Sequence, residues 1–153
     1  MSRRSRLFLL TLGIVLLGFL RGYLFANINW IYKTITVGRM NQARHEFYFL
    51  LEWSPSAILV LKWVLTILFF SLFGFLSYVI INVAFKNKQY NKITLLLYLG
   101  LLILAGFLYI IGYLFGISSE IYHIIRTIMG MGQSFMPLMI LFILFKFLPQ
   151  KVH

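Results

Sequence analysis

From Ser118 to Pro137 the chain reads SSEIYHIIRTIMGMGQSFMP, and Glu120, His123, Arg126, Gln133 and Ser134 are the side chains in it able to do chemistry. Glu120 is an acid and His123 a candidate base, while Arg126 is a permanent cation with a planar fork of donors. Gln133 donates and accepts at once. At steps of three and four residues, His123, Arg126, Gly130, Gln133 and Pro137 fall on one stripe of a helix. An ionised group in lipid is costly, so such a stripe faces other helices or water. Hydrolytic chemistry fits it poorly. His123 and Glu120 are three residues apart, and Ser118, Ser119 and Ser134 qualify as nucleophiles by type alone. His45, His123 and His153 do not have a metal-ligand spacing. The chain has no cysteine, which removes thiolate metal sites, a cysteine nucleophile and disulfides. No glycine-rich phosphate loop is present. The expectation is no catalytic residue, no metal and no cofactor.

Anion or partner recognition fits better. Arg21 and Lys62 stand in two other apolar runs. With the elements laid out below, Arg21, Lys62 and Arg126 all fall in the outer half of a bilayer, each roughly 9–11 Å from the outer end of its helix at ~1.5 Å per residue. The inner halves carry almost no charge. Arg21, Lys62, Glu120, His123, Arg126 and Gln133 are therefore expected to form one binding layer for a partner protein or an anionic headgroup, with Glu52 a further candidate. The alternative is that each cation snorkels to the headgroups or pairs with Glu52 or Glu120 and only fixes the bundle.

The elements that must position this layer are greasy helices. Arg3, Arg4 and Arg6 precede an apolar run to Phe25, long enough to span, with no convincing small-x-small cleavage site after it. It is read as a retained first helix over 7–26 rather than a signal peptide. Residues 27–54 read as a polar outer loop with interleaved aromatic residues. Within it 42–53 is expected to form a short helix lying on the membrane surface, since Tyr and Trp favour the interface. Arg44, His45 and Glu46 there read as a solvated loop face. Ser54-Pro55-Ser56 opens a second helix over 57–85, because serine caps and proline is tolerated in the first turn. The basic turn Lys86 to Lys92 leads into an uncharged third helix over 93–116. The last segment, 120–148, is read as one continuous but kinked helix, with a break near Gly130 to Pro137 as the alternative. Gly18/Gly22 and Gly112/Gly116 are small-xxx-small pairs, expected to let helices approach closely.

Charge sets the orientation. Arg3, Arg4, Arg6, Lys86, Lys88, Lys92, Lys146 and Lys151 fall on one side of this layout, against Lys33, Arg39 and Arg44 on the other. The positive-inside rule then puts both termini in the cytoplasm. The expected fold is all-α, a single bundle of four transmembrane helices with an outer-face interfacial helix between the first and second. Over 153 residues, 61% are hydrophobic and only 11% charged, which excludes an ordinary soluble domain. The formal charge of +11 is scattered between apolar runs, so nucleic acid is not an expected partner.

The order of residues resembles the small bacterial membrane proteins associated with the exosortase F system. The likeness rests on RGYLF (Arg21 to Phe25), on KNKQYNKITLLLY (Lys86 to Tyr98), and on Arg126 followed by QSFMPL (Gln133 to Leu138). Asn27 and Asn29 stand where those proteins usually carry acidic residues, and the first outer loop is longer. The resemblance implies an accessory subunit, not a sorting enzyme. The expected function is a non-catalytic accessory or stabilising subunit of a larger complex in the bacterial inner membrane. Its expected partners are other integral membrane subunits and phospholipid. The alternative is a stand-alone lipid-handling enzyme or small carrier.

Overall fold

The computed structural model describes residues 2–38, 40–116 and 118–147, with the side chains of 118–120 left out. All regular structure among the described residues is helical: α1 (Arg3–Val37), a 3₁₀ helix (His45–Glu52), α2 (Pro55–Phe85), α3 (Lys88–Leu114), α4 (Ser118–Gly132) and α5 (Met136–Phe147). Three helices are long and apolar enough to cross a membrane, and a fourth crossing results if α4 and α5 form one bent span. Arg39, Lys151 and the last residue of the expected 120–148 helix lie outside the described residues.

Capping explains where the helices start. Ser2 Oγ accepts from the Ser5 amide, Ser54 Oγ from Ala57 at 3.3 Å, and Asn87 Oδ1 from Gln89 at 2.8 Å. Each satisfies an amide that the first turn leaves without a partner. Gly38 ends α1 and Lys86 ends α2, both in the left-handed conformation.

α1 departs from the sequence reading. It does not stop near residue 26 but runs for 35 residues to Val37. That is about 52 Å at 1.5 Å per residue, well beyond the ~30 Å hydrocarbon core. The supposed start of a loop is helical because nothing there breaks a helix. Asn27 turns its amide back to the Tyr23 carbonyl at 2.8 Å instead of capping a turn. Its Oδ1 accepts the Arg44 amide at 2.8 Å, tying the returning chain to α1. Ile28, Ile31, Ala43, Leu50 and Ile58 then bury together, so the 3₁₀ helix and the start of α2 pack on the extension.

The last helix is also corrected. α4 and α5 are separate helices, bent by 57° across Gln133–Phe135. Pro137 has no amide to continue the ladder and its ring crowds the carbonyl four residues back. Ser134 Oγ donates to the Met131 carbonyl and accepts from the Met136 amide, closing the turn locally. Gly132 allows it sterically, since a Cβ there would stand 2.4 Å from the Phe70 ring.

Phe73 is fully buried in the main core, which also holds Ile14, Phe69, Phe70, Ile125 and Leu141. At one end of the bundle Tyr90 and Phe145 stack at 4.1 Å, with Phe85 edge-on to both. At that same end Arg3 donates from Nε to the Val83 carbonyl at 3.0 Å and from Nη2 to Ala84. The start of α1 and the end of α2 therefore share one face, with the last α2 carbonyls satisfied by a side chain.

Candidate anion-binding cavity

α1, α2 and α4 leave a cavity of about 300 Å³ between them. Arg21 reaches it from α1, Lys62 from α2 and Arg126 from α4. The three cations that the sequence places at one depth thus line one space. They do so although α1 runs on to Val37, well past the helix end from which the expected depth of Arg21 was reckoned. None of the described lining residues is acidic. Arg126 repels both Arg21 and Lys62 across the gap.

The floor is a built hydrogen-bond chain. Gln133, 2% exposed, accepts from Arg21 Nε at 2.7 Å through Oε1 and donates from Nε2 to the Thr66 carbonyl at 3.0 Å. One amide side chain therefore joins α1, α2 and the turn after α4. It also aims Arg21: Nε is occupied, Nη2 lies over Gly130, and the guanidinium carbon stands 5.3 Å from the centre of the Phe25 ring. Lys62 Nζ lies 5.1 Å from the Tyr32 ring centre, held by an aromatic face instead of a carboxylate. Arg126 is exposed and has no hydrogen bond to another described residue. Ile125 and Met129 are buried beside Gln133, while Gly22, Trp63, Tyr122 and Arg126 are exposed and form the rim.

Arg21, Lys62, Arg126 and Gln133 are brought together. His123 is exposed and does not line the cavity; its carbonyl accepts from Thr127 Oγ1 at 2.9 Å. The wall of α4 is centred on Tyr122, Arg126 and Met129, which leaves His123 at its edge. The Glu120 side chain lies outside the described residues. Glu52 and Glu46 are exposed on the 3₁₀ helix, and neither lines the cavity. Arg44 approaches the Tyr23 ring, 6.0 Å from its centre. Asn29, Trp63, Thr66 and Tyr122 are lining residues that the sequence reading passes over, because an aromatic or amide residue near a helix end looks like any interfacial residue.

The glycine pairs are placed differently from one another. A Cβ on Gly18 would meet only the Phe73 ring, at 3.9 Å, and one on Gly22 would meet nothing within 4 Å. Gly112 is buried in α3. Gly116 lies beyond the end of α3 at φ 69°, in the left-handed region. Close approach of backbone occurs at Gly132 against Phe70, and at Gly74, where a Cβ would stand 3.2 Å from the Tyr98 ring.

Chemically the lining offers donors, cations and rings. Among the described lining residues there is no carboxylate or imidazole to shuttle a proton, and the Thr66 hydroxyl is turned to the Lys62 carbonyl at 2.8 Å. No His/Cys/Asp/Glu group suited to a metal occurs among the described residues. Comparison with protein-family models, with curated proteins and with solved structures finds no match to this chain.

Proposed function

We propose that the protein is a non-catalytic accessory subunit of a larger complex in the bacterial inner membrane, and that it holds an anionic group in the Arg21–Lys62–Arg126 cavity. One observation carries this reading: three cations from three helices line one cavity with no acid among its described lining residues. Like charges so placed need a counter-charge from elsewhere. The lining supports recognition and not turnover, for want of a proton carrier. In this reading both termini are cytoplasmic and the 3₁₀ helix lies at the outer surface, as the Lys and Arg asymmetry requires.

The subunit role draws support from the outer faces. α3 exposes Leu95, Leu99, Ile103, Phe107 and Ile110 along its length, which suits lipid or a neighbouring helix. The resemblance of RGYLF and QSFMPL to exosortase F-associated proteins makes an exosortase the first neighbour to look for. Purification from native membranes in mild detergent tests the role. The protein should bring down a membrane partner in fixed stoichiometry, and Arg126→Lys, which keeps charge but loses the fork, should insert normally and reduce that recovery. A wild-type chain that purifies alone, with full stability, would sink the subunit reading. It would favour the second one, a stand-alone lipid carrier, for which the exposed Trp63 and Tyr122 on the rim speak.

A further inference from the structure

We infer that the anion held in this cavity is the terminal phosphate of a membrane lipid, a phosphomonoester on an acyl or prenyl chain; the inference rests on the cavity being an anion site. Charge is the first argument. A phosphomonoester carries about −1.5 to −2 near neutral pH, which matches three cations better than the single charge of a phosphodiester or a carboxylate.

Geometry is the second. A terminal phosphate presents three oxygens in different directions, and donors converge here from three helices. Arg21 is already oriented: with Nε on Gln133, its Nη groups remain for a ligand. Lys62 has three donors on a flexible stem, and Arg126 has its whole fork. The buried Gln133 already pins Arg21 to Thr66, so little ordering is needed on binding.

Surroundings are the third argument. The rim is set in apolar helix faces. On the helix faces of the rim residues, at steps of three and four, exposed Phe19 accompanies Gly22, and exposed Val60 and Ile67 flank Trp63. A lipid can lay its chain on these faces while its phosphate enters the cavity. A free ion gains nothing from them.

Native mass spectrometry of the intact protein in detergent, with added lipids of known composition, decides the matter. The wild type should retain dioleoyl phosphatidic acid over dioleoyl phosphatidylglycerol by about tenfold, and dioleoylglycerol, which lacks phosphate, not at all. Arg126→Ala and Lys62→Gln should each weaken phosphatidic acid retention roughly tenfold to a hundredfold, the loss of a charge-assisted contact. Lys88→Gln, at the exposed start of α3, should leave it unchanged. Equal retention of phosphatidylglycerol, or no effect of either cavity variant, overturns the inference. Displacement of phosphatidic acid by inorganic phosphate at equal concentration also overturns it, in favour of a free ion, while the anion site stands. If neither lipid nor phosphate is retained and the partner's recovery is indifferent to Arg126→Ala, the anion reading itself falls.

Discussion

Gln133 is the residue on which the cavity floor depends, and its role was half visible. Its type and its place on the stripe with Arg126 mark it as facing inward; that it accepts from Arg21, on α1, follows only from the packing of the helices. Replacing it with leucine removes the acceptor for a half-buried guanidinium N–H. Gln133→Leu should lower unfolding free energy in detergent by about 1–2 kcal/mol, measured by thermal or denaturant melts. Combining it with Arg21→Met should cost little more than the worse single change, since both remove the same bond. Additive losses would show that the two side chains do not depend on each other. His123 shows the opposite case: the stripe put it beside Arg126, yet a helix face is broader than a stripe, and the wall turned the other way, towards Tyr122.

α4 and α5 show what a sequence conceals at the level of an element. Gly130, Gly132 and Pro137 announce a weakness in the helix, but only the Phe70 ring explains which glycine is indispensable. A Cβ on Gly132 would stand 2.4 Å from that ring, whereas one on Gly130 would meet only the tip of Arg21 at 3.8 Å. Gly132→Ala should therefore destabilise by about 1–3 kcal/mol through overpacking. Gly130→Ala should be neutral or stabilise by up to ~1 kcal/mol, as alanine is the better helix former. Thermal stability of the pair in one detergent separates them, and a harmless Gly132→Ala would mean that the break is not set by this contact. α1 misleads in another way. Asn27 and Asn29 look like the beginning of a loop, but an asparagine can serve a helix by bonding its own preceding turn, as Asn27 does with Tyr23.

For the whole molecule, the helical class and three of the four expected long apolar helices were legible, because spanning a bilayer demands long unbroken hydrophobic runs and little else does. That Arg21, Lys62 and Arg126 would come together was legible from their spacing along the chain. The pairing of helices was not, since helices apolar all round have no preferred face. Orientation rests on charge alone and is directly measurable, because the chain has no cysteine. Single cysteines at Ser5 and Asn87 should resist an impermeant thiol reagent in intact cells, while one at Thr36, on the α1 extension, should react. Labelling at Asn87 but not at Thr36 would invert the bundle.

The interruption at Gln133–Phe135 has an electrical consequence. Peptide dipoles aligned along α4 sum to about half a negative charge at its carboxyl end, and that end falls inside the bundle because the helix stops at Gly132. Arg21 Nη2 lies beside Gly130 in this last turn. Had α4 run on into α5, the negative pole would lie a whole helix further along, at Phe147, far from any of the three cations. The break thus sets a backbone partial charge beside Arg21, one that does not titrate, with the positive end of α5 starting only at Met136.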